Sequence, residues 1–332
     1  MIREVQLEGF KSFFQQTIEF GKLTVLTGLN SSGKSSVIQA LRMAKRMCDK
    51  HNCLLPGYGG FKELENKAYG GRMYIAVRDD DNHSFEIVEN GAVPAFSGKY
   101  PTLLYISASR FGPQVNIPVY ANDTEPDELG QNVLKTIHEY HDHAVNKILK
   151  REGTEGNTFR FVLDSWLKVI SPSMKFDYKI DEKADMSYTT YNGHRAKNVG
   201  FGLSYTLPVI TSLLLGTIIP NSLVIIENPE AHLHAKAQTL MAELIAKCVE
   251  AGAQVIVETH SDHLFDGLRI YTKEHEDFAE KMKCYWFELN EEGHTIPVEI
   301  EVNKKGRIAT LDIPDGFCDQ FEFNAKKLLF GR

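Results

Sequence analysis

Eight consecutive residues, Gly28 to Ser35, have the types and the spacing needed to hold a row of phosphates. They fit the pattern G-x-x-x-x-G-K-S without a mismatch. Glycine at Gly28 and Gly33 lets backbone N–H groups approach phosphate oxygens, because a Cβ there would obstruct the turn or the phosphates. Lys34 supplies a positive charge for the β- and γ-phosphates, and the Ser35 hydroxyl suits Mg²⁺. A chance glycine-rich turn is the alternative interpretation.

The segments on either side of this loop predict the supports that it requires. Residues 22–27 have the composition of a buried strand, and residues 36–43 have the spacing of an amphipathic helix. A strand, a turn and a helix N-terminus direct backbone N–H groups and a helix dipole at one place. We therefore predict a nucleoside triphosphate site with Mg²⁺. Its predicted contacts are Asn30, Ser31, Ser32, Gly33, Lys34, Ser35 and Ser36, with Ser35 also a metal ligand.

Carboxylates and a histidine follow two further predicted strands. The apolar run at 223–226 ends in Glu227, and Glu230 lies three residues beyond it. A carboxylate at the end of a buried strand can organise Mg²⁺ beside a phosphate loop, so Glu227 is predicted as the second metal ligand. The next apolar run, 254–257, leads to His260 at the start of a predicted helix.

The remaining periodicity predicts an α/β protein with a mixed sheet. Alternating apolar and polar residues at 2–10 predict antiparallel N-terminal strands, and 73–77 with 84–88 predict a hairpin. A short, helix-rich insert follows, and after residue 223 short apolar strands alternate with helices, which indicates a parallel sheet. We predict three segments, which are a first core part (1–126), an insert that forms a lid or short arm (127–195) and a second core part (196–332).

Charge and composition exclude several classes of protein. The net charge is −7, so a nucleic-acid contact would need a local basic patch, such as the one formed by Arg42, Lys45 and Arg46. A solvated helix face is the simpler interpretation of that patch. The five cysteines are scattered, which argues against a disulfide framework. The N-terminus lacks a signal-peptide pattern and the longest apolar run, 207–220, is too short to cross a bilayer, so we expect a cytoplasmic protein without membrane contact.

The order of these motifs resembles that of ATP-binding-cassette (ABC) ATPases. A phosphate loop, a helical insert, a glycine-rich turn at 198–204, an acidic strand end and a histidine follow one another. The runs at 8–13, 227–234 and 258–261 are similar to those of prokaryotic ATPases related to the overcoming-lysogenization-defect (OLD) nucleases and to RecF. The tail at 314–321 resembles a defence-associated AAA ATPase subset that lacks the Toprim nuclease domain. The resemblance implies an ABC-type P-loop fold with ATP and Mg²⁺ as ligands.

The resemblance also implies roles for individual residues. Two subunits would pack head to tail as a homodimer, or as part of a higher homo-oligomer, with each ATP between one phosphate loop and the partner's glycine-rich turn. Gly202 and Ser204 would then contact the partner's ATP, and His260 would contact the γ-phosphate. Either Arg110 or Gln114 would sense the nucleotide, unless the turn at 109–114 is merely structural. His232 and His234 would face the dimer partner, with a metal pair as the less favoured alternative.

One departure from the family pattern bears on catalysis. Transporter-type cassettes end the acidic strand with Asp-Glu, whereas this chain has Glu227 and Asn228. Asparagine can orient water but cannot accept its proton, so the general base is Glu227, Glu230 or neither. We therefore expect slow ATP hydrolysis, and we place Glu227, Glu230 and His260 in the catalytic set.

Four functions remain open from the sequence. The first is an ATP-gated dimeric switch that regulates a separate effector, such as a nuclease, in prokaryotic anti-phage defence. We expect the effector to be a separate protein, because only about seventy residues follow His260, which is too few for a nuclease domain. The second is a repair ATPase that binds DNA ends. The third is a transporter's nucleotide-binding subunit, which Asn228 and the atypical glycine-rich turn argue against. The fourth is a nucleotide-binding scaffold without turnover.

Overall fold

The chain divides into two compact units that are interleaved in sequence. The computed structural model describes residues 1–88, 98–120 and 125–331. The first unit comprises Met1–Tyr100 and His275–Arg332, and the second comprises Pro101–Glu274. The three-segment organisation drawn from the sequence, with boundaries at 126 and 195, stays a prediction.

The first unit contains an antiparallel sheet and a second group of strands that carries the phosphate loop. Its elements are β1 (Ile2–Phe10), β2 (Phe13–Glu19), β3 (Leu23–Gly28), α1 (Lys34–Cys48), α2 (Phe61–Leu64), β4 (Tyr74–Asp79), β5 (Ser84–Val88), β13 (Met282–Leu289), β14 (Thr295–Glu299) and α8 (Gln320–Phe330). The antiparallel sheet has the order β2-β1-β4-β5, and it contains the antiparallel N-terminal strands that the alternating pattern predicted. β13 pairs in parallel with β3 and antiparallel with β14, so the second group is mixed.

The phosphate loop lies between β3 and α1 because the local sequence changes character there. Four consecutive residues of β3, from Leu23 to Leu26, are fully buried, as the run of aliphatic and β-branched residues predicted. α1 begins directly after Gly33 and buries one side, including Val37, Ile38 and Leu41. Its first turn has no acidic residue, so no carboxylate of the helix opposes an anion at its N-terminus.

The second unit is built on three parallel strands and the helices that follow them. Its elements are β6 (Thr102–Ile106), β7 (Ile117–Pro118), α3 (Val133–Glu139), α4 (Phe159–Ile170), β8 (Phe176–Asp181), β9 (Met186–Tyr191), β10 (His194–Arg195), α5 (Phe201–Gly216), β11 (Ser222–Glu227), α6 (Ala235–Glu250), β12 (Gln254–Glu258) and α7 (Asp262–Glu274). β11 pairs in parallel with both β6 and β12, so the ends of these strands lie at one edge. Glu227 is the last residue of the central strand.

Most predicted elements are confirmed, with one large omission. The hairpin, helices within the segment predicted to be helix-rich and the strand–helix alternation after residue 222 are all present. The sequence analysis assigned no element to β13, β14 or α8. Within the described ranges, no helix has both the length and the apolar character required to span a lipid bilayer.

Candidate functional site

The backbone of the phosphate loop adopts a conformation that turns successive N–H groups toward one place. Gly28, Ser31 and Gly33 have positive φ angles of 134°, 61° and 108°. Left-handed residues among right-handed ones form concave arrangements of N–H groups that bind anions. The N–H of Leu29 donates to the carbonyl oxygen of Phe287 at 3.2 Å, which attaches the first residue of the loop to β13. The loop therefore fits a polyphosphate.

A threonine from the neighbouring strand supports the other end of the loop. The hydroxyl of Thr295 donates to the carbonyl oxygen of Ser32 at 2.9 Å and lies 2.6 Å from the hydroxyl of Ser12. A Cβ added at Gly33 would lie 2.5 Å from Thr295 Oγ1, so this contact requires glycine. The sequence analysis missed Thr295 and Phe287. The only local signal for Thr295 is its position at the start of an apolar–polar alternation after the turn at 290–294.

We expect Gly33→Ala to destabilise the protein more than Gly252→Ala does. Both glycines have a φ of 108°, but nothing lies within 4 Å of a Cβ at Gly252. The strain of the left-handed backbone, on the order of 1–3 kcal/mol, is therefore common to both variants. The clash with Thr295 adds about 1–3 kcal/mol at Gly33 alone. Urea denaturation measures the free energy of unfolding, and equal losses in the two variants would contradict the packing argument.

The side chains of the loop divide into buried and exposed groups. Ser32, Gly33, Lys34 and Ser36 are buried, whereas Asn30, Ser31 and Ser35 are exposed. The ammonium group of Lys34 donates to the carbonyl oxygens of Gly28 at 3.1 Å and Leu29 at 2.7 Å, so its charge is held over the loop. Ser35 follows Lys34 in the first turn of α1, and its side chain is exposed. Its hydroxyl can therefore act as a ligand for a metal ion on a bound phosphate chain. All seven predicted loop contacts therefore lie on one continuous turn.

In the second unit, the carboxylate of Glu227 is held by three donors. The hydroxyl of Tyr105 donates to Oε1 at 2.9 Å, and the N–H of Ala108 donates to Oε2 at 2.9 Å. The hydroxyl of Ser107 makes a longer bond of 3.4 Å to Oε2. All three donors come from the end of β6 or the turn after it, because β6 and β11 run in parallel and end together. The carboxylate is only half-buried, so an oxygen lone pair can still reach a metal ion.

Glu230 and His260 also come together beyond the strand ends. The N–H of His260 donates to Oε1 of Glu230 at 2.9 Å, and the His260 side chain is exposed. Burial raises the pKa of Glu230, and this effect is only partly opposed by the N–H of His260, by Thr259 and by the charge of Arg110. A carboxyl group with a raised pKa accepts a proton readily, which is a property of a general base.

We expect Glu230→Gln to stabilise the protein at neutral pH and to lose this effect in acid. A raised folded-state pKa means that folding favours the protonated carboxyl over the carboxylate. The contribution of Glu230 is therefore most favourable below its ordinary value of 4.5 and is lost as the pH rises through the folded-state pKa. At about pH 7 the neutral glutamine should raise Tm, and at about pH 4 it should leave Tm almost unchanged. Thermal denaturation across this pH range measures the difference in Tm between the variant and the wild type, with Glu182→Gln at an exposed position as the control. A lower Tm of Glu230→Gln at neutral pH would contradict the argument.

The glycine-rich turn leads into α5 and presents backbone and an aromatic ring to solvent. Phe201, the first residue of α5, is 55% exposed, and its ring lies 5.4 Å from that of His232. Gly202 follows it and is half-buried. The Ser204 hydroxyl oxygen is buried and lines a small cavity of about 20 Å³ with Tyr191 and Gln114. The role of Ser204 toward a partner's ATP stays a prediction.

The two candidate sensors in the turn at 109–114 have different surroundings. The guanidinium of Arg110 is buried and bonded to backbone carbonyl groups, so it does not face a ligand. Gln114 is half-buried and is the remaining candidate of this turn.

Among the described residues, the potential metal ligands that lie close together do not include His232 and His234, which the sequence analysis considered as a metal pair. Within the described parts of the chain, the group of three or more such residues with converging ligand atoms is Asp79, Asp81 and His83, on the β4–β5 turn. Asp79 accepts hydrogen bonds there from the N–H groups of Asp81 and His83, which is ordinary turn geometry. His232 and His234 are not part of a group of this kind.

Comparisons with known families find one match in each unit. Residues 120–265 match the AAA ATPase domain family, and this range contains Glu227, Glu230 and His260. Residues 4–45 match the AAA domain family, and this range contains the phosphate loop. Each unit is therefore similar to an AAA-type domain over its matched residues. The comparison with curated proteins found no match.

Solved structures are similar to this chain over most of its length, and the first of the three below shares its fold. The Smc head domain with an extended coiled coil from Pyrococcus furiosus, which is bound to the C-terminal domain of ScpA, has a TM-score of 0.50 at 12% identity over 90% of this chain and 96% of that chain. The SMC head domain from Thermotoga maritima has a TM-score of 0.47 at 13% identity, covering 91% and 99% of the two chains. The recombination mediator RecF has a TM-score of 0.48 at 13% identity, covering 90% and 98%. The Pyrococcus furiosus structure confirms the predicted α/β fold with a mixed sheet and antiparallel N-terminal strands.

Proposed function

We propose that this protein is an ATP-binding and slowly hydrolysing switch ATPase that works as a homodimer. The phosphate loop carries the proposal, because its left-handed residues, its buried Lys34 and its uncapped helix N-terminus all favour a polyphosphate. Asn30, Ser31 and Ser32 would contribute loop contacts, and Lys34 would balance the charge of the β- and γ-phosphates. When bound, Mg²⁺ neutralises phosphate charge and orients water.

The second unit carries the other residues that we assign to the ATPase. Ser35 and Glu227 would hold Mg²⁺, while the three donors on Glu227 keep that carboxylate oriented. Glu230 would take the proton from water, since burial raises its pKa and Asn228 cannot serve. His260, whose N–H bonds Glu230, would contact the γ-phosphate, and Gly202 and Ser204 would contact the ATP of the partner subunit. A base on a turn, rather than at the strand end, is consistent with slow turnover.

We further propose that the dimer regulates a separate effector protein, a nuclease, in prokaryotic defence against phages. The resemblance of the runs at 8–13, 227–234 and 258–261 to OLD-related ATPases supports this part, as does the resemblance of the tail at 314–321 to a defence-associated subset. The Pyrococcus furiosus Smc head is bound to a domain of another protein, ScpA, which is a precedent for partner binding on this fold. The net charge of −7 weighs against DNA as the first ligand.

The test is the mass of the protein in solution with and without ATP and Mg²⁺, together with phosphate release. We expect the mass to double on addition of ATP and phosphate release to be slow. If ATP changes neither the mass nor the phosphate release, the protein is a scaffold and the proposal is wrong. If short DNA duplexes with free ends stimulate phosphate release in the absence of any other protein, the repair-type function replaces the effector-regulating one.

A further inference from the structure

A single buried arginine connects three segments of the second unit. Arg110 follows β6 and is among the largest fully buried side chains, with 1% of its surface exposed. Arginine is rarely buried without a carboxylate partner, because its charge loses the solvation of water. Here the hydrogen bonds that hold the guanidinium all go to backbone carbonyl oxygens.

The four bonds reach three different parts of the chain. Nε donates to the carbonyl oxygen of Tyr205 in α5 at 2.8 Å. Nη1 donates to the carbonyl oxygens of Ser107 at 3.1 Å and Glu227 at 2.7 Å, and Nη2 donates to that of Asn228 at 2.7 Å. The end of β6, the acidic strand end and the N-terminal half of α5 are thus joined to one rigid, planar group.

Three of the four carbonyl groups, those of Ser107, Glu227 and Asn228, lie at or just beyond the end of a strand. Asn228 has a φ of 45° and begins the turn after β11, so its carbonyl group is outside the strand ladder. Pro208 lies inside α5 and has no N–H for the carbonyl group of Ser204, which interrupts the helical hydrogen bonds next to Tyr205. The guanidinium also lies 5.4 Å from the centre of the Tyr205 ring. The carbonyl oxygens of Ser107 and Asn228 also accept the backbone N–H groups of Arg110 and Ala231, so the guanidinium is a second donor to each of them.

The charge of Arg110 persists at neutral pH. Burial lowers its pKa to about 10, and the negative charges of Glu230 and Glu227 act in the opposite direction. The side chain therefore keeps all of its N–H donors, and the bonds to carbonyl oxygens are charge-assisted. Bonds of this kind are shorter and stronger than neutral ones, as the two 2.7 Å distances show.

We propose that Arg110 is a positioning residue that holds the acidic turn, Glu227 and Asn228, and the N-terminal half of α5 in one fixed arrangement. In the ATPase proposed above, on which this part rests, the two segments carry the metal-binding carboxylate and the turn that reaches the partner's ATP. A change at either segment would then be transmitted to the other through the guanidinium. Lysine cannot replace it, because one ammonium group cannot span three segments.

The first test is hydrogen exchange of the nucleotide-free protein, which does not depend on any ATPase activity. In Arg110→Lys and Arg110→Met we expect amide exchange to become at least about tenfold faster in both residues 201–207 and residues 226–233. Ser222→Ala is the matched control, since Ser222 Oγ donates to the carbonyl oxygen of Gly216 and joins the opposite ends of the same two elements. It should affect only residues near 216–222.

The second test separates positioning from stability. In Arg110→Lys we expect the maximum rate of phosphate release to fall by about 10- to 100-fold, with the Kd for ATP changed by less than about twofold. Faster exchange in only one segment, or in neither, would overturn the proposal. Uniformly faster exchange throughout the second unit in both variants would make Arg110 a general stabilising residue, which also overturns it. If ATP changes neither the mass nor the phosphate release of the wild type, the proposed function is wrong. The exchange experiment still decides the role of Arg110.

Discussion

Lys34→Ala is expected to lower ATP turnover by at least about 100-fold and to abolish the ATP-dependent increase in mass. Lys34 is 3% exposed, and its ammonium group is held over the loop by two carbonyl oxygens. The charge is therefore already placed, at little further cost in side-chain entropy. Alanine removes the charge that would balance the β- and γ-phosphates, so the affinity for ATP should fall together with turnover.

A second lysine of the same helix provides the control for Lys34. Lys45 lies in the last turn of α1 and pairs with Asp49 at 2.6 Å near the surface. Surface ion pairs of this kind contribute about 0–1 kcal/mol, so Lys45→Ala should change neither turnover nor stability appreciably. Phosphate release, isothermal titration with ATP and light scattering measure the three properties. Equal activity of Lys34→Ala and the wild type would contradict the assignment of the loop.

Glu227→Gln is expected to lower turnover by at least about 100-fold while ATP still binds. The carboxylate accepts hydrogen bonds at both oxygens, from Tyr105 at Oε1 and from Ala108 and Ser107 at Oε2. Glutamine has only one acceptor oxygen, so its NH₂ group must face one of these donors. The variant therefore loses both the negative charge that would bind Mg²⁺ and the fixed orientation of the side chain at position 227. Because the phosphate loop is unchanged, we expect an ATP-bound dimer that accumulates.

Two further variants separate the roles of the acidic residues. Tyr105→Phe removes one donor to Glu227 and leaves its charge, so turnover should fall by only about three- to tenfold. Glu230→Gln should also stop turnover if Glu230 is the general base, but it should leave the Mg²⁺ dependence of ATP binding unchanged. Single-turnover phosphate release and Mg²⁺ titration of ATP binding measure these effects. A Glu227→Gln variant with wild-type turnover would remove Glu227 from the site.

The phosphate loop and the parallel strands could be predicted from the sequence because both depend on neighbouring residues. The positions of Gly28, Gly33 and Lys34 follow from what a tight turn and a phosphate require within eight residues. β11 is an unbroken apolar run, which is how a strand covered on both faces appears in a sequence, so Glu227 was recognised at its end.

The supports of the site could not be predicted in the same way. Thr295 bonds the carbonyl oxygen of Ser32 across 263 positions of the chain, and the pairing of β13 with β3 that brings Phe287 to the loop is equally distant in sequence. An apolar strand such as β13 carries no mark of which strand it will pair with, since many partners would bury its side chains equally well.

The same distinction explains why the sequence suggested Arg110 as a ligand sensor. The residues next to an arginine in a turn after a strand do not show whether its side chain will be exposed to solvent or buried. Only the tertiary structure brings together the carbonyl groups of Tyr205, Glu227 and Asn228, which lie about a hundred residues away from it. The sequence by itself determined the loop, the strand-end acid and the element types, because these follow from local composition and spacing. The tertiary structure decided which groups hold them in place, because hydrogen bonds between distant segments depend on how the whole chain packs.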